Sequence, residues 1–229
     1  MEQILKEKYN VDVLRMDADT TTHKNAHQIL INDFASKKYS ILVGTQMISK
    51  GLNFENASLV GVINADASLC IPDFRSAEKT YELLSQTSGR VGRFDIPGKV
   101  LIQTYNPDNY VYLSVIKNDY EEFYNKEMDI RMKLKYPPYF YICNLKIISE
   151  DYELASKNAS IIKKYLDKKL DNTFTILGPA MDGIFKIKNK YHFVILIKYK
   201  RINNLIEVLN EINDIYSSNK LKLDININI

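Results

Sequence analysis

The chain has 229 residues, of which 45% are hydrophobic and 26% charged, so it can bury one large or two small hydrophobic cores. No apolar run approaches the roughly 20 residues that cross a bilayer, and the opening stretch MEQILKEKYN is charged and amphipathic, which excludes a signal peptide and predicts a soluble, cytoplasmic protein. The net charge of +3 divides unevenly, because residues 1–110 hold 12 Lys and Arg against 13 Asp and Glu, whereas residues 111–229 hold 19 against 15.

The first half of the chain alternates short apolar runs with helical periods. Helices are predicted over residues 24–37 and 74–90, and strands at VDVLRM, SILVG, LVGVIN and KVLIQTY. Strands without polar alternation, joined by crossover helices, are typical of an α/β domain whose parallel sheet is covered on both faces. Such sheets bind ligands beyond the carboxyl ends of their strands, where the loops after Gly44, Asn64 and Tyr105 fall.

The second half begins with a charged amphipathic helix over residues 119–138, which Pro137 and Pro138 close. Beyond it the pattern predicts a strand at 139–148, a helix, a short strand around Ile176, a hairpin turning at Asn189, a second helix and a last strand, LKLDINI. The helices are predicted at 151–170 and 202–216, with Leu154, Ile161, Ile162, Tyr165 and Leu166 on the apolar face of the first. The order β-α-β-β-α-β indicates a ferredoxin-like α+β domain. We expect three regions: 1–118, a connecting helix and Pro-Pro hinge at 119–138, and 139–229.

The stretch QTSGRVGR, residues 86–93, places two glycines inside a predicted helix, where each costs about 1 kcal/mol relative to alanine. One interpretation is a helix C-terminus, with glycine as a left-handed cap and arginine at the negative end of the dipole. The other is a phosphate-contacting surface, because Arg90 and Arg93 lie three residues apart and share a helix face.

A second unusual stretch, ILVGTQMISKGLNF, begins as a strand and breaks at Gly44 and Thr45. Backbone amides at such a break and the Thr45 hydroxyl can donate to phosphate oxygens, although a purely structural turn has the same pattern. The spacings of a dinucleotide fingerprint and a P-loop are absent, so the chain lacks its own triphosphate cradle. Because both glycine-bearing stretches are predicted at one sheet edge, Arg90 and Arg93 suit an arginine finger that reaches a nucleotide held by another lobe.

These motifs resemble a known family. GTQMISKGLNF, VGVINADASLCIPDFRSAEKTYELLSQTSGRVGR and GKVLIQTYNPDNY are similar to the second motor lobe of the bacterial primosomal replication-restart DNA helicases of superfamily two, the PriA or primosomal protein N′ family. The first stretch looks like helicase motif V, and QTSGRVGR matches motif VI, Q-x-x-G-R-x-G-R, at every fixed position. PDFR with IQTYNP narrows the resemblance to this family, and YPPYFY, LGPA and LDININ resemble its C-terminal domain. The resemblance implies a RecA-like helicase lobe two, incomplete at its N-terminus, followed by a smaller ferredoxin-like domain.

The resemblance also implies roles for individual residues. Arg90 and Arg93 would contact the γ-phosphate in the hydrolysis transition state, and Gln86 would couple that site to motif V. The nucleotide side of the cleft would be lined by Gly51, Asn53 and Gly89, and the DNA backbone would be faced by Thr45 and Gln46. Relatives commonly have aspartate where this chain has Asn53, so that contact would lose a charge. For Asp73 and Arg75 in PDFR the resemblance implies no role, and a loop salt bridge is the alternative.

Members of the resembled family are ATP-dependent 3′-to-5′ helicases that act in replication restart and primosome assembly at stalled forks. ATP and magnesium would be bound mainly by a first lobe, and zinc by a cysteine-rich module, neither of which the sequence contains. Met1 is therefore interpreted as the start of a fragment that is not ATPase-competent alone. The implied partners are forked or single-stranded DNA, primosome proteins and single-strand-binding protein.

The predicted hairpin is basic. Lys186, Lys188 and Lys190 alternate with Phe185 and Ile187, which predicts that the lysines share one strand face. This face is either a solvated surface or a surface that tracks DNA phosphates, with Tyr191 or Phe193 available to stack on bases. His192 is interpreted as a strand residue, not a metal ligand. Two other functions stay open: a stand-alone nucleic-acid-binding module with a degenerate motor lobe, and a protein-interaction platform for primosome partners.

The two cysteines, Cys70 and Cys143, lie far apart in the sequence and have no histidines at ligand spacing. Neither a disulfide framework nor a zinc site is therefore predicted. Both are interpreted as buried thiols.

Overall fold

The computed structural model describes residues 1–17, 20, 26–45, 48, 57–89, 98–202, 204–218 and 220–228. The chain divides into two compact units, Met1–Tyr124 and Asn125–Ile229. Within the described ranges, no helix combines the length and the apolar character that a membrane span requires.

The first unit contains two pairs of parallel strands. Its elements are α1 (Glu2–Tyr9), β1 (Val13–Met16), α2 (Ala26–Ala35), β2 (Ile41–Gly44), β3 (Leu59–Val62), α3 (Asp66–Leu69), α4 (Ser76–Ser88), β4 (Lys99–Ile102) and α5 (Tyr110–Lys117). In the first pair Met16 lies opposite Gly44, and in the second Val62 lies opposite Ile102. The four strands and their parallel pairing confirm the α/β prediction for this half.

Coverage of the β3–β4 pair is one-sided. Val62 and Ile102 pack against a cluster supplied largely by α4 and α5: Ala65, Tyr81, Leu84, Val111, Tyr112, Val115 and Phe123. On the other face Leu59 and Leu101 remain 56% and 60% exposed. The prediction of a sheet covered on both faces is wrong for these strands, because the described helices α4 and α5 pack against one side of them.

Helix α6 (Tyr120–Lys133) ends before the prolines that the sequence suggested as its stop. Lys135 adopts the left-handed conformation, with φ of 57°. The amide of Tyr136 donates to the Arg131 carbonyl at 2.8 Å, and that of Lys135 to the Met132 carbonyl at 3.3 Å. This pair of bonds is a Schellman-type termination, so the backbone at Lys135 ends the helix before Pro137 is reached.

The second unit contains a four-stranded antiparallel sheet flanked by two helices. Its further elements are β5 (Tyr141–Ser149), α7 (Tyr152–Lys169), β6 (Thr175–Ile187), β7 (Lys190–Tyr199), α8 (Leu205–Tyr216) and β8 (Lys222–Asn228). The strands lie in the order β6-β7-β5-β8, and every neighbouring pair is antiparallel. Each helix therefore connects two strands that have a third strand between them. The predicted order of strands and helices is confirmed in this half.

The core of the second unit follows strand alternation. Cys143, Leu145 and Ile147 of β5 point to the same side as Ile195 and Ile197 of β7, and all five are fully buried. Helices α7 and α8 cover that side with Ala155, Ala159, Ile162, Leu166, Leu205, Leu209 and Ile212. Ile161, predicted on the buried face of α7, is 38% exposed, because the two alanines occupy that face instead. Each buried aliphatic side chain contributes about 1.5–3 kcal/mol.

The hairpin between β6 and β7 turns at Lys188 and Asn189, which have φ of 49° and 63°. Two consecutive left-handed residues form a type I′ turn, whose twist matches that of the strands. The predicted turning point at Asn189 is confirmed.

Candidate functional site

The end of β2 lies beside a cavity in the first unit. The cavity has a volume of about 460 Å³ and is lined by Met1, Glu2, Gln3, Arg15, Asp17, Val43, Gly44 and Thr45. Its walls include the carboxyl ends of β1 and β2, where an open α/β sheet binds ligands. Thr45, predicted to face a DNA backbone, is exposed at this edge.

Gly44 is required here by a close approach of two backbones. A Cβ added at this position would lie 2.4 Å from the Met16 carbonyl oxygen and 3.0 Å from Cγ2 of Ile48. The amide of Ile48 donates to the Thr45 carbonyl at 3.2 Å. Gly44 therefore has a structural reason that is independent of phosphate binding.

Arg15 and Asp17 line the same cavity, although neither lies in a motif that the sequence displays. The Arg15 guanidinium contacts Oδ2 of Asp17 at 2.5 Å. The hydrogen bond from Arg15, helped by Thr20, holds the pKa of Asp17 below its ordinary value. Their position in the sequence could have indicated them, because they lie at the carboxyl end of β1, which pairs with the end of β2 at Gly44. The cavity thus presents a hydroxyl beside a paired guanidinium and carboxylate.

Two predicted site residues, Gln86 and Gly89, lie at the C-terminal end of α4. Gln86 is exposed, and the hydroxyls of Thr87 and Ser88 bond back to the carbonyls of Leu83 and Leu84. Gly89 caps the helix with φ of −71°, in the right-handed region, and an added Cβ would meet the nearest atom, the Ser85 carbonyl oxygen, at 3.5 Å. The left-handed cap considered for the glycines is therefore wrong for Gly89, and neither conformation nor space in the described fold requires glycine there.

Five predicted site residues lie outside the described residues: Gln46, Gly51, Asn53, Arg90 and Arg93. Their roles, including the shared helix face of the two arginines, stay predictions.

Asp73 of the PDFR segment is the centre of an ion-pair cluster. It accepts hydrogen bonds from the backbone and guanidinium of Arg75 and, at 2.7 Å, from the ammonium group of Lys79. Partial burial opposes ionisation, but the bonds from Arg75 and Lys79 outweigh it and hold the pKa of Asp73 well below its ordinary value. The loop salt bridge considered for this segment is present, next to the start of α4.

Asp66 organises the loop beyond β4. Its carboxylate accepts hydrogen bonds from the Thr104 hydroxyl at 2.7 Å, the Tyr105 amide at 2.8 Å and the Tyr112 hydroxyl at 2.8 Å. The bond from the Tyr105 amide is the main cause that lowers the pKa of Asp66. Burial, followed by the bond to Asp66, raises the pKa of Tyr112 to about 12. The carboxylate therefore stays ionised and ties the loop to α5.

The basic hairpin does not present its lysines on one face. Lys186 lies opposite Tyr191, and Ile187 lies opposite Lys190, so Lys186 and Lys190 point to opposite faces of the sheet. Lys188 occupies the turn itself. The prediction of a shared face is wrong because the two-residue turn reverses the chain between the lysines, and residues paired across an antiparallel sheet share a face.

The two aromatic residues proposed for base stacking differ in accessibility. Phe193 is 7% exposed and belongs to the core, so the prediction that it is available for stacking is wrong. Tyr191 is half-buried, with the Lys186 ammonium 5.0 Å from its ring centroid and the Tyr152 ring edge-on at 5.5 Å. Lys190 lies 3.7 Å from Glu150. The tip of the hairpin, residues 186–190, is exposed throughout.

Lys198, one of the lysines of the basic second half of the chain, is inside the protein. It is 4% exposed, donates to the Leu134 carbonyl at 2.8 Å and lies 3.4 Å from the centroid of the Tyr136 ring. Burial lowers the pKa of Lys198. This lysine joins the segment after α6 to the sheet and adds nothing to a surface for phosphates.

The cysteines and histidines of the described ranges do not form a metal centre, since no group of three metal-binding side chains occurs there. Cys143 is buried, and burial raises the pKa of its thiol to about 12. Cys70 is exposed at the end of α3, so the prediction that it is buried is wrong: the four-residue helix leaves its last turn at the surface. His192 is part of β7, opposite Ile148.

Comparisons with known proteins match both halves of the chain. Residues 1–95 match the helicase conserved C-terminal domain, and residues 132–228 match the primosomal protein N C-terminal domain. Replication restart protein PriA of Bacillus subtilis is 44% identical over 215 residues, which is 94% of this chain and 27% of that protein. The PriA proteins of Synechocystis sp. and Borreliella burgdorferi are each 37% identical, over 99% and 88% of this chain.

The chain spans 27% and 30% of the lengths of the Synechocystis and Borreliella relatives, so it matches only part of each. The two domains that it matches come in the order expected for the C-terminal portion of such a protein. The chain therefore belongs to the PriA family of replication restart proteins and corresponds to the C-terminal portion of its members.

Proposed function

We propose that the chain supplies the C-terminal part of an ATP-dependent 3′-to-5′ DNA helicase that acts in replication restart and primosome assembly at stalled forks. The observation on which this proposal depends is the match to PriA relatives at 30–44% identity along most of the chain, with a helicase domain followed by the primosomal domain. The proposed setting is the cytoplasm, and the proposed partners are forked or single-stranded DNA, primosome proteins and single-strand-binding protein.

The finer fold assignment is part of the proposal. The parallel pairs β1–β2 and β3–β4, each with a helical connection between its strands, support a RecA-like lobe two. The strand order β6-β7-β5-β8, with β-α-β-β-α-β connectivity, supports a ferredoxin-like domain.

The proposed nucleotide site is shared with a first lobe that would hold ATP and magnesium. From this chain, Arg90 and Arg93 would stabilise charge on the γ-phosphate, with Gln86 beside them and with Gly51, Asn53 and Gly89 lining the cleft. Gly89 supports this arrangement. Nothing in its described surroundings requires glycine, whereas a ligand that approaches the backbone closely would require it. Zinc would belong to the complete protein and not to this part.

The proposed DNA contacts lie in both units. Thr45, with Gln46, would donate to backbone phosphates at the mouth of the cavity at the end of β2. In the second unit Lys186, Lys188, Lys190 and Tyr191 would surround DNA phosphates at the hairpin tip. Since Lys186 and Lys190 point to opposite sheet faces, the tip suits a strand that passes around its end better than one lying along a single face.

Binding across a salt series tests the proposal. Fluorescence anisotropy with labelled forked DNA is expected to show an affinity whose logarithm falls linearly with log salt, with a slope of about −0.9 for each phosphate neutralised. The triple variant Lys186→Gln, Lys188→Gln, Lys190→Gln should flatten that slope. Lys157→Gln, at an exposed position of α7, should not. Absence of binding at low salt, or an unchanged slope in the triple variant, would contradict the DNA-binding role of the hairpin.

A second measurement tests the division of the ATP site. The chain alone is expected to show no ATP turnover above background, because the groups that hold magnesium and the β- and γ-phosphates would come from the first lobe. Robust turnover by the isolated chain would overturn this part of the proposal.

A further inference from the structure

We propose that the ring of Tyr105 is a stacking surface for a nucleobase. The inference rests on the proposed function, since it concerns the nucleic acid or nucleotide that the first unit would bind, but it concerns a residue to which the resemblance gives no role.

Tyr105 has an unusually exposed ring. The residue is 93% exposed, more than any other large hydrophobic residue in the described part of the chain, where the next is Ile116 at 71%. Among the described residues no ring, cation or side-chain hydrogen-bond contact engages the phenol. The full face of the ring is therefore available to a planar ligand.

The backbone that holds this ring is fixed on both sides. The Tyr105 amide donates to Asp66 Oδ2 at 2.8 Å, and the preceding Thr104 hydroxyl donates to Oδ1 at 2.7 Å while accepting from the Asn106 amide at 3.0 Å. The same carboxylate accepts from the hydroxyl of Tyr112, which is 1% exposed and belongs to the core. These hydrogen bonds fix the backbone at Tyr105, unlike that of a mobile loop tip. A preorganised mount lowers the entropy that a ligand must overcome on binding.

The position is the ligand-binding edge of the fold. Gln103, Thr104 and Tyr105 follow directly after β4, whose last residue Ile102 pairs with Val62 at the end of β3. The Gln103 amide donates to the Val62 carbonyl at 2.9 Å, and the Ala65 amide to the Gln103 carbonyl at 3.0 Å, so the loops after the two strands are tied together. Tyr105 therefore projects beyond the carboxyl ends of two parallel strands, where open α/β sheets bind ligands.

The surroundings favour a nucleobase over a protein partner. The loop from Gln103 to Asn109 contains, besides Tyr105, only polar side chains and one proline. A protein-docking aromatic usually lies within an apolar patch that excludes water, whereas a base needs a single aromatic face. The nearby Asp66 carboxylate is bonded by three donors, which reduces its repulsion of a phosphate.

The inference is tested by removing either the tyrosine ring, by substitution, or the base, with an abasic strand. We would measure binding of a labelled oligothymidylate of about 20 nucleotides, an abasic strand of equal length, and a ribose-labelled fluorescent ATP to the full chain. Tyr105→Ala is expected to weaken binding of oligothymidylate or ATP by about tenfold, the scale of one base–aromatic stack. Tyr105→Phe and Tyr105→Trp should bind like the wild type, and the abasic strand should not distinguish wild type from Tyr105→Ala. Tyr9→Ala, at a tyrosine that is 56% exposed on α1, is the matched control.

The two ligands identify the source of the base. A loss confined to oligothymidylate assigns Tyr105 to a DNA base, and a loss confined to ATP assigns it to adenine. The inference is overturned if Tyr105→Ala binds oligothymidylate and ATP as tightly as the wild type does. It is also overturned if the substitution weakens binding of the abasic strand as much as binding of oligothymidylate. In either case the proposed function stands. If the wild-type chain binds neither ligand, the DNA-binding part of the proposed function fails first and the inference fails with it.

Discussion

Replacement of Gly44 by alanine tests how the candidate cavity is built. The new Cβ would lie 2.4 Å from the Met16 carbonyl oxygen, about 1 Å inside ordinary contact, and the Ile48 side chain at 3.0 Å limits retreat in that direction. Because the obstacle is backbone, β1 and β2 must separate at the Met16–Gly44 pair. Overpacking of this kind costs about 1–3 kcal/mol, which multiplies the local opening equilibrium by roughly fivefold or more.

Hydrogen exchange followed by mass spectrometry is the suitable assay, since a chain with two units does not unfold in one transition and exchange reports each segment separately. Peptides from β1 and β2 should exchange faster in Gly44→Ala, and those from β5 and β7 should not change. Gly61→Ala is the matched control, because Gly61 also lies in a parallel strand but an added Cβ would meet nothing within 4 Å. Equal protection of β1 and β2 in both variants would refute the close approach.

Three other substitutions or reactions separate structural from functional positions. Gly89→Ala should leave Tm unchanged or slightly raised, since the added Cβ makes only ordinary contacts and φ is right-handed; a clear fall in calorimetry would make this glycine structural. Ile195→Ala should destabilise the second unit by about 2–5 kcal/mol in urea titration, whereas Ile161→Ala, 38% exposed, should cost less; equal losses would contradict the assigned core. Iodoacetamide should label Cys70 alone in the native chain, because Cys143 is buried with its pKa raised to about 12, and labelling of both without denaturant would show that Cys143 is accessible.

Most elements of the fold could be predicted because their physical signals are local. The apolar runs of β1 to β4 and the 3.6-residue periods of α7 and α8 mark their elements directly, and Asn189 marks the hairpin turn. Termini and burial depend on contacts that are distant in sequence. The end of α6 is decided by the conformation of Lys135, and the one-sided burial of β3 and β4 by where α4 and α5 pack.

The candidate site shows the same division. Alternation along a single strand would place the three hairpin lysines on one face. The turn interrupts that alternation, and the cross-strand register puts Lys186 and Lys190 on opposite sides of the sheet. Charge in the sequence does not show that Lys198 is buried, where a carbonyl and an aromatic ring hold it inside. Tyr105 lies in IQTYNP, which marks the family but gives the tyrosine no role, and Arg15 lies in no motif, so only the loop and cavity geometry points to a function for either residue.

The most direct test of the central claim is ATP turnover by a hybrid protein in which this chain replaces the matching portion of the Bacillus subtilis relative, with which it is 44% identical. We expect the isolated chain to be inactive and the hybrid to hydrolyse ATP. Arg90→Ala or Arg93→Ala in the hybrid should lower turnover by about 10³-fold, the scale of an arginine finger, while DNA binding is kept. Turnover by the isolated chain, or full turnover in both arginine variants of the hybrid, would contradict the central claim.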